Sequence, residues 1–411
     1  MFALDVIRIP YHGRRLWDWK PFLCTALVTI LLNQTPASAI QLEWLKALDY
    51  GGWDVACDAL GDVYVGGNNV TDNFLGRFDT NGNQLWMNTW DRKGGDGILF
   101  APDGRANVYV SVTELMASTK VLFLRRYTSD SELVWSHQVA SSSGAGITVD
   151  GLGNVYAKSV DHLDKYDPDG ALLWTRQNPN IGRSNATADA FGNVYISGSG
   201  DDIYKYDSDG NLSWNATYNG LLDEVVGIRH VAADNSGNVY TAAPMGFHDP
   251  VSGLTVQDGF FLAKHDSDGH LQWFQKITAF GTIARIRFSA DSLGNVFLYV
   301  GGRNQLTDDY RNFLLEYDTS GKLIWTQENG LPGQFNVTGV SADGRGNVYF
   351  AGITVGDTSG SGPGPDYSFL AKFTTVPEPS SVSLGMIALL AAVALNRSGA
   401  SSRFTASSTR Q

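Results

Sequence analysis

Asp189-Ala-Phe-Gly-Asn-Val-Tyr195, followed by Tyr204-Lys-Tyr-Asp-Ser-Asp-Gly-Asn-Leu-Ser-Trp214, is the stretch that decides the fold. It carries two turn signals. Gly192 with Asn193, and Asp209 with Gly210, tolerate the positive φ that tight turns need. The β-branched and aromatic residues around them suit strands. The stretch therefore reads as two hairpins, or four strands. Such a unit has two apolar faces and cannot bury both alone, so it must stack on copies of itself.

The copies are present. The first turn recurs as Asp58-Ala-Leu-Gly-Asp-Val-Tyr64, Asp103-Gly-Arg-Ala-Asn-Val-Tyr109, Asp150-Gly-Leu-Gly-Asn-Val-Tyr156, Asp234-Asn-Ser-Gly-Asn-Val-Tyr240, Asp291-Ser-Leu-Gly-Asn-Val-Phe297 and Asp343-Gly-Arg-Gly-Asn-Val-Tyr349. With Asp189 that makes seven. The second hairpin ends on Trp86, Trp135, Trp174, Trp214, Trp273 and Trp325, spaced by 39 to 59 residues. The seventh unit reaches Phe369-Leu-Ala-Lys-Phe373 without a Trp. The missing one stands at the other end, in Ile40-Gln-Leu-Glu-Trp44, where alternation places Ile40, Leu42 and Trp44 on one face. The expectation is an all-β, seven-bladed β-propeller of four-stranded antiparallel blades over residues 40–376. The N-terminal strand closes the ring, with Trp44 as the closing residue.

The ends read as addresses. Arg8, Arg14, Arg15 and Lys20 precede the apolar run Phe22–Leu32, and Ala37-Ser-Ala39 follows. That is the pattern of a secretory signal peptide, expected at residues 1–39. Near the other end Pro377-Glu378-Pro379 precedes the apolar run Val382–Leu395, then Asn396 and Arg397. The run has 14 residues, marginal for a permanent span and suited to a transient membrane anchor. Residues 398–411 form a basic tail.

Without these ends the chain keeps 23 basic and 39 acidic residues, about −16. A body that acidic repels phosphate backbones, so nucleic acid is excluded as a partner. Cys24 lies in the apolar N-terminal run, which leaves Cys57 alone in the mature chain and no disulfide to form.

Two resemblances follow from these residues. The Asp-x-x-Gly-Asn-Val-Tyr turns, the Lys-Tyr-Asp segments and the Gly-x-Leu-x-Trp endings resemble the bacterial SBBP-type β-propeller repeat over residues 40–376. Asp49-Tyr-Gly-Gly-Trp-Asp54 looks like that family's inter-blade link. This resemblance implies an exported or surface protein and no particular chemistry. Residues 377–397 resemble the PEP-CTERM sorting signal, which implies recognition by an exosortase, a membrane transpeptidase. Fourteen residues follow Arg397, more than that family's pattern carries. The blade endings are also similar to those of pyrroloquinoline-quinone dehydrogenases, but the Thr-Gly and paired cysteines of that family are missing.

Asp167-Pro-Asp169-Gly170, Asp207-Ser-Asp209-Gly210 and Asp266-Ser-Asp268-Gly269 could be read as Ca²⁺ loops. They lack the further ligands of such a loop, and Asx turns explain them. No cofactor is therefore expected, Ca²⁺ being the weakly supported exception. His230, His248, His265 and His270 fall in one blade without metal-ligand spacing. A catalytic group is needed once, whereas the turn residues recur seven times. Attention falls instead on unequal segments. The middle links Pro244–Asp258, Arg303–Arg311 and Val355–Asp366 are expected as long loops. Asp54, Asp96, Asp223, Glu224 and Arg285 stand near the starts of inner strands, where they could line the channel mouth.

The function expected is a non-enzymatic binding or scaffold propeller. It is exported to the cell surface, the outer membrane or the extracellular matrix, with polysaccharide or protein as partner. The alternative is a glycan lyase or hydrolase using acids at the channel mouth.

Overall fold

The computed structural model describes residues 39–376 apart from 49–51, 59, 70, 92–96, 117–118, 140–145, 160, 179, 182–184, 199, 201, 219–229, 249–254, 278–281, 304–309, 329–334 and 355–367. Those residues form seven antiparallel sheets of four strands. In six of them the strands follow chain order from inside to outside, and the inner strands are Gly52–Cys57, Gly97–Pro102, Gly146–Val149, Ala186–Ala188, His230–Ala233 and Thr282–Ala290. The seventh sheet runs Phe335–Ala342, Asn347–Thr354, Ser368–Val376 and then Ala39–Leu48. The fold is therefore the expected seven-bladed propeller, and its last blade is completed by the first strand. No helix of the described residues is long and apolar enough to cross a membrane.

The repeated residues build each turn and then tie it to a neighbour. Asp150 shows how. Its Oδ1 accepts the N–H groups of Leu152 and Asn154, each at 2.9 Å. Its Oδ2 accepts the Asn154 side-chain amide at 2.8 Å. Gly153 closes the turn at φ 88°. The hydroxyl of Tyr156 then donates across the blade interface to the Gly192 carbonyl at 2.6 Å. Tyr195 does the same to Gly237 at 3.0 Å. The carboxylates that suggested Ca²⁺ loops are engaged likewise. Asp167 and Asp207 accept two backbone N–H groups each within their own turns, and so does Asp266. No group of three or more carboxylate, imidazole or thiol side chains that could hold a metal occurs among the described residues.

A second clamp works on the outer hairpins. In blade 3 the Lys165 ammonium and the Trp174 indole both donate to one carbonyl, Ser208 of blade 4, at 3.0 and 3.1 Å. Arg77 with Trp86 holds Ser129 in the same way. Arg126 with Trp135 holds Pro168, and Lys205 with Trp214 holds Ser267. Lys264 with Trp273 holds Thr319. At the closure the pattern survives a change of strand origin. Trp44 donates to the Thr80 carbonyl of blade 1 at 3.2 Å, and Lys372 reaches the Thr80 hydroxyl at 3.2 Å.

Blade 6 breaks both clamps, for a topological reason. Blade 7 takes its third and fourth strands from opposite ends of the chain, so it has no outer turn to offer a carbonyl. The cation position of blade 6 is Glu316, and Trp325 turns its indole N–H onto that carboxylate. The Tyr position is Phe297, and the carbonyl such a Tyr would reach, Gly346, is taken by the Thr375 backbone N–H at 2.8 Å. The interface between blades 6 and 7 is instead packed apolar. Trp325 is its most buried repeat Trp, set with Phe297, Phe350 and Phe373 and against Ile40 and Leu42.

This seam predicts a pH dependence. Burial pushes the Glu316 carboxyl up to about 7. A carboxyl that holds its proton more tightly when folded stabilises the fold fully below its unfolded value. It loses that contribution as pH rises through the folded value. The ring should lose up to about 3 kcal/mol between about pH 4.5 and 7.5 from this group. Urea unfolding of wild type and Glu316→Gln across that window measures it: the variant should show a flatter slope.

Candidate functional site

The four residues upstream of each turn Asp decide what the inner strands present. At the fourth position the seven blades carry Asp54, Leu99, Gly146, Asn185, His230, Arg287 and Gly339. The turn position is uniform; this one is not. In blades 4, 5, 6 and 1 it is polar, and the side chains of blades 4, 5 and 6 touch from blade to blade. The Asn185 side-chain amide and His230 Nδ1 lie 3.2 Å apart. Arg287 Nη1 lies 3.2 Å from His230 Nε2. Because guanidinium only donates, His230 Nε2 accepts; its proton then sits on Nδ1, which an Asn185 amide turned to present its oxygen accepts. Arg287 also donates to the Thr338 carbonyl of blade 7 at 2.7 Å and to the Ile286 carbonyl at 2.8 Å.

Asp54 closes the arc. Its Oδ1 accepts the Val55 N–H at 2.9 Å. It lies over Gly339: a Cβ there would come within 2.7 Å of that same oxygen and of the Val55 nitrogen. A side chain at 339 is thus excluded so that blades 7 and 1 can approach. Burial pushes Asp54 up to about 6, against the pull of its own backbone bond and of Arg287. Arg285 stands two residues before Arg287 on the same strand, hence on the same face. Arg287 is drawn below the usual arginine range by burial first and by Arg285 second. Neither arginine is in an ion pair among the described residues. On the opposite side the wall is small and apolar, with Leu99 and Gly146. Lys158 pairs with Gly146 in the ladder and is pulled down to about 8 by burial.

Of the five expected channel residues, the structure brings Asp54 and Arg285 onto the inner strands of blades 1 and 6. Asp96, Asp223 and Glu224 lie outside the described residues, as do Pro377, Glu378, Pro379 and Arg397. Arg287, His230 and Asn185 were missed. Aligning the seven inner strands on the turn Asp would have found them, since they depart from the repeat at one register position. His265 is a different case. It is buried, bonded to the Tyr218 hydroxyl at 3.3 Å and drawn down to about 4 by burial, so it packs as a neutral ring.

One loop expectation is corrected. The middle link Pro244–Asp258 is not a long loop throughout. Instead Val239–His248 and Thr255–His265 continue the hairpin, with His248 paired to Thr255. Pro244 sits at a bulge, where a strand tolerates proline. For Arg303–Arg311, Arg303 pairs with Tyr310, and 304–309 lie outside the described residues. Val355–Asp366 lies outside them entirely.

Comparisons with known proteins agree with this architecture. Residues 71–246 match the family model described as outer membrane protein assembly factor BamB. That segment runs from the third strand of blade 1 into the second strand of blade 5. No curated protein matches the chain. Among solved structures, the chain is similar to U3-55K, at 8% identity and TM-score 0.54, covering 82% of this chain and 98% of that one. It is similar to the Pan2 WD40 domain of Neurospora crassa, at 7% identity and TM-score 0.52, covering 84% and 98%. BamB from Moraxella catarrhalis aligns at 13% identity and TM-score 0.49, covering 82% and 100%. At such identities the likeness is one of fold.

Proposed function

We propose that the chain is an exported, non-enzymatic binding or scaffold propeller. Its ligand engages the polar arc Asp54–Arg287–His230–Asn185 together with Arg285. One observation carries the reading. The repeated carboxylates, tyrosines and cations are spent on forming the turns and holding blades to each other, whereas this arc departs from the repeat and is built from four blades. Two arginines on one face, beside an Asp54 carboxyl that burial pushes toward its neutral form, favour an anionic partner. A polysaccharide bearing carboxylates fits best, and a protein presenting acidic side chains is the other form of the same partner. Export is supported by the apolar run and Ala37-Ser-Ala39 at the front, and by the Pro377-Glu378-Pro379 tail that resembles an exosortase substrate. The match to a family described by an outer membrane role points the same way.

A glycan array with neutral and uronate-bearing members tests the reading. Uronate-bearing members should bind, more weakly as salt rises. Arg285→Ala should weaken them about tenfold, the loss expected for one charge-assisted contact. Binding to neutral glycans alone, or binding indifferent to Arg285→Ala, contradicts it.

The held-up proton of Asp54 favours a second reading, a glycan lyase or hydrolase. Tyr299, the ladder partner of Arg287, is pushed up to about 12 by burial and is a poor base near neutrality. New reducing ends from a bound glycan, abolished by Asp54→Asn, would establish that reading over the first.

A further inference from the structure

The inner turns carry a second unrepeated feature, on the opposite side of each turn from its buried Asp. Two residues after that Asp stand Leu60, Arg105, Leu152, Phe191, Ser236, Leu293 and Arg345. Arg105, Ser236 and Arg345 show that the turn itself needs nothing apolar here. Yet Leu60 is 56% exposed, Leu152 59%, Phe191 66% and Leu293 69%. Exposed large apolar side chains at one end of a ring mark a contact surface when they are contiguous.

Contiguity follows from how the turns interlock. The strand order puts all inner turns and all outer turns at the same end of the blades. A Cβ on Gly151 would lie 3.2 Å from the Ala190 carbonyl oxygen, so the turns of blades 3 and 4 touch, and Leu152 and Phe191 are the next residues along those two turns. A Cβ on Gly153 would lie 3.5 Å from Pro168, and one on Gly192 3.4 Å from Ser208, so inner and outer turns of one blade touch too. The outer turns of blades 2 to 5 carry exposed acids around this pair: Asp130, Glu132, Asp169, Asp209 and Asp268. Arg126 pairs with that rim at 3.8 Å from Asp169, and Arg176 donates to the Asp209 and Gly210 carbonyls at 2.7 and 2.6 Å, which leaves the carboxylates of Asp130, Glu132, Asp209 and Asp268 without an ion pair among the described residues.

We infer that this turn end of the propeller docks a protein segment with an apolar centre flanked by lysine or arginine, seated on Leu152 and Phe191 within the acidic rim. Charge complementarity selects that occupant. The rim repels an anionic bilayer and an acidic segment, and the apolar pair gives a purely hydrophilic cation nothing to bury. The surface is separate from the channel arc and does not depend on it.

The test uses the full chain and three labelled synthetic peptides of equal length: alternating Leu and Lys, alternating Leu and Glu, and alternating Ser and Lys. Anisotropy titrations should show the Leu/Lys peptide bound at least tenfold more tightly than either other. Leu152→Ser with Phe191→Ser should weaken it at least tenfold. Ser is native at the same place in blade 5, so the fold should hold, as circular dichroism checks. Asp169→Asn with Asp209→Asn should weaken it about threefold and flatten its salt dependence. Leu85→Ser, which removes an exposed leucine from an outer strand, should change nothing. Equal binding of Ser/Lys, or full binding by the Leu152/Phe191 variant, overturns the proposal. So does concentration-dependent dimerisation that this variant abolishes, which makes the occupant a second copy. Binding of anionic vesicles that competes with the Leu/Lys peptide overturns it as well.

Discussion

Trp44→Ala is expected to destabilise the ring by about 3 kcal/mol, toward the lower end of the range for removing a large aromatic because its ring is only half-buried. That is a fall of several degrees in unfolding midpoint. The loss has three parts. The indole donates to the Thr80 carbonyl of blade 1. Its ring lies 6.2 Å from Tyr349 and packs in the cluster of Leu48, Val55 and Phe78. Its strand, Ala39–Leu48, is joined to Ser368–Val376 by pairing alone, with no hairpin turn to hold it nearby. Trp86→Ala removes an equivalent indole from blade 1, but there the strand stays tethered by its own turn. The closure variant should therefore unfold at the lower midpoint. It should also aggregate more readily, because a detached first strand leaves Ser368–Val376 as an open edge. Equal midpoints for the two variants would contradict a closure that rests on this strand.

Gly339→Ala is expected to cost about as much. The added Cβ meets Val55 backbone at 2.7 Å and Asp54 Cα at 3.0 Å, and neither can rotate away as a side chain could. Overpacking of this kind costs about 1–3 kcal/mol, more where backbone must shift. The displaced residue is Asp54, so binding at the arc should fall together with stability, although residue 339 supplies no side chain to the ligand. Gly200→Ala is the control, since nothing lies within 4 Å of its Cβ direction. It should leave the unfolding midpoint unchanged. A neutral Gly339→Ala would mean that blades 7 and 1 do not approach as closely as described.

The sequence revealed the ring because the ring is made of what repeats. Asp, Gly, Asn, Val and Tyr at fixed offsets state the turn chemistry directly, and the orphan Trp44 states the closure. The turn reading of Asp167, Asp207 and Asp266 is carried by the backbone bonds their carboxylates accept. The candidate site was legible only in part. Asp54 and Arg285 were singled out as charges near inner-strand starts, but Arg287 and His230 become visible only when seven strands are superposed and the odd members picked out. The extension of blade 5 through Pro244 was not legible, because a bulge that admits proline into a strand leaves no mark in a single sequence. Glu316 was equally opaque. A carboxylate in a column of cations looks like drift until the missing turn of blade 7 shows that no carbonyl waits there for a cation.

Ring closure is tested most directly by a cross-link between the two chain ends of blade 7. Glu43 and Lys372 face each other across the first and last described strands, with Oε2 and Nζ 2.7 Å apart. In the Glu43→Cys, Lys372→Cys variant, a bifunctional maleimide that spans the length of the ion pair should yield a monomeric chain with a 43–372 cross-link identified by peptide mapping, and a raised unfolding midpoint. Cys57 should not compete, because burial pushes its thiol up to about 12. Failure to form the bond within one chain, or its appearance only in dimers, would contradict closure by the N-terminal strand.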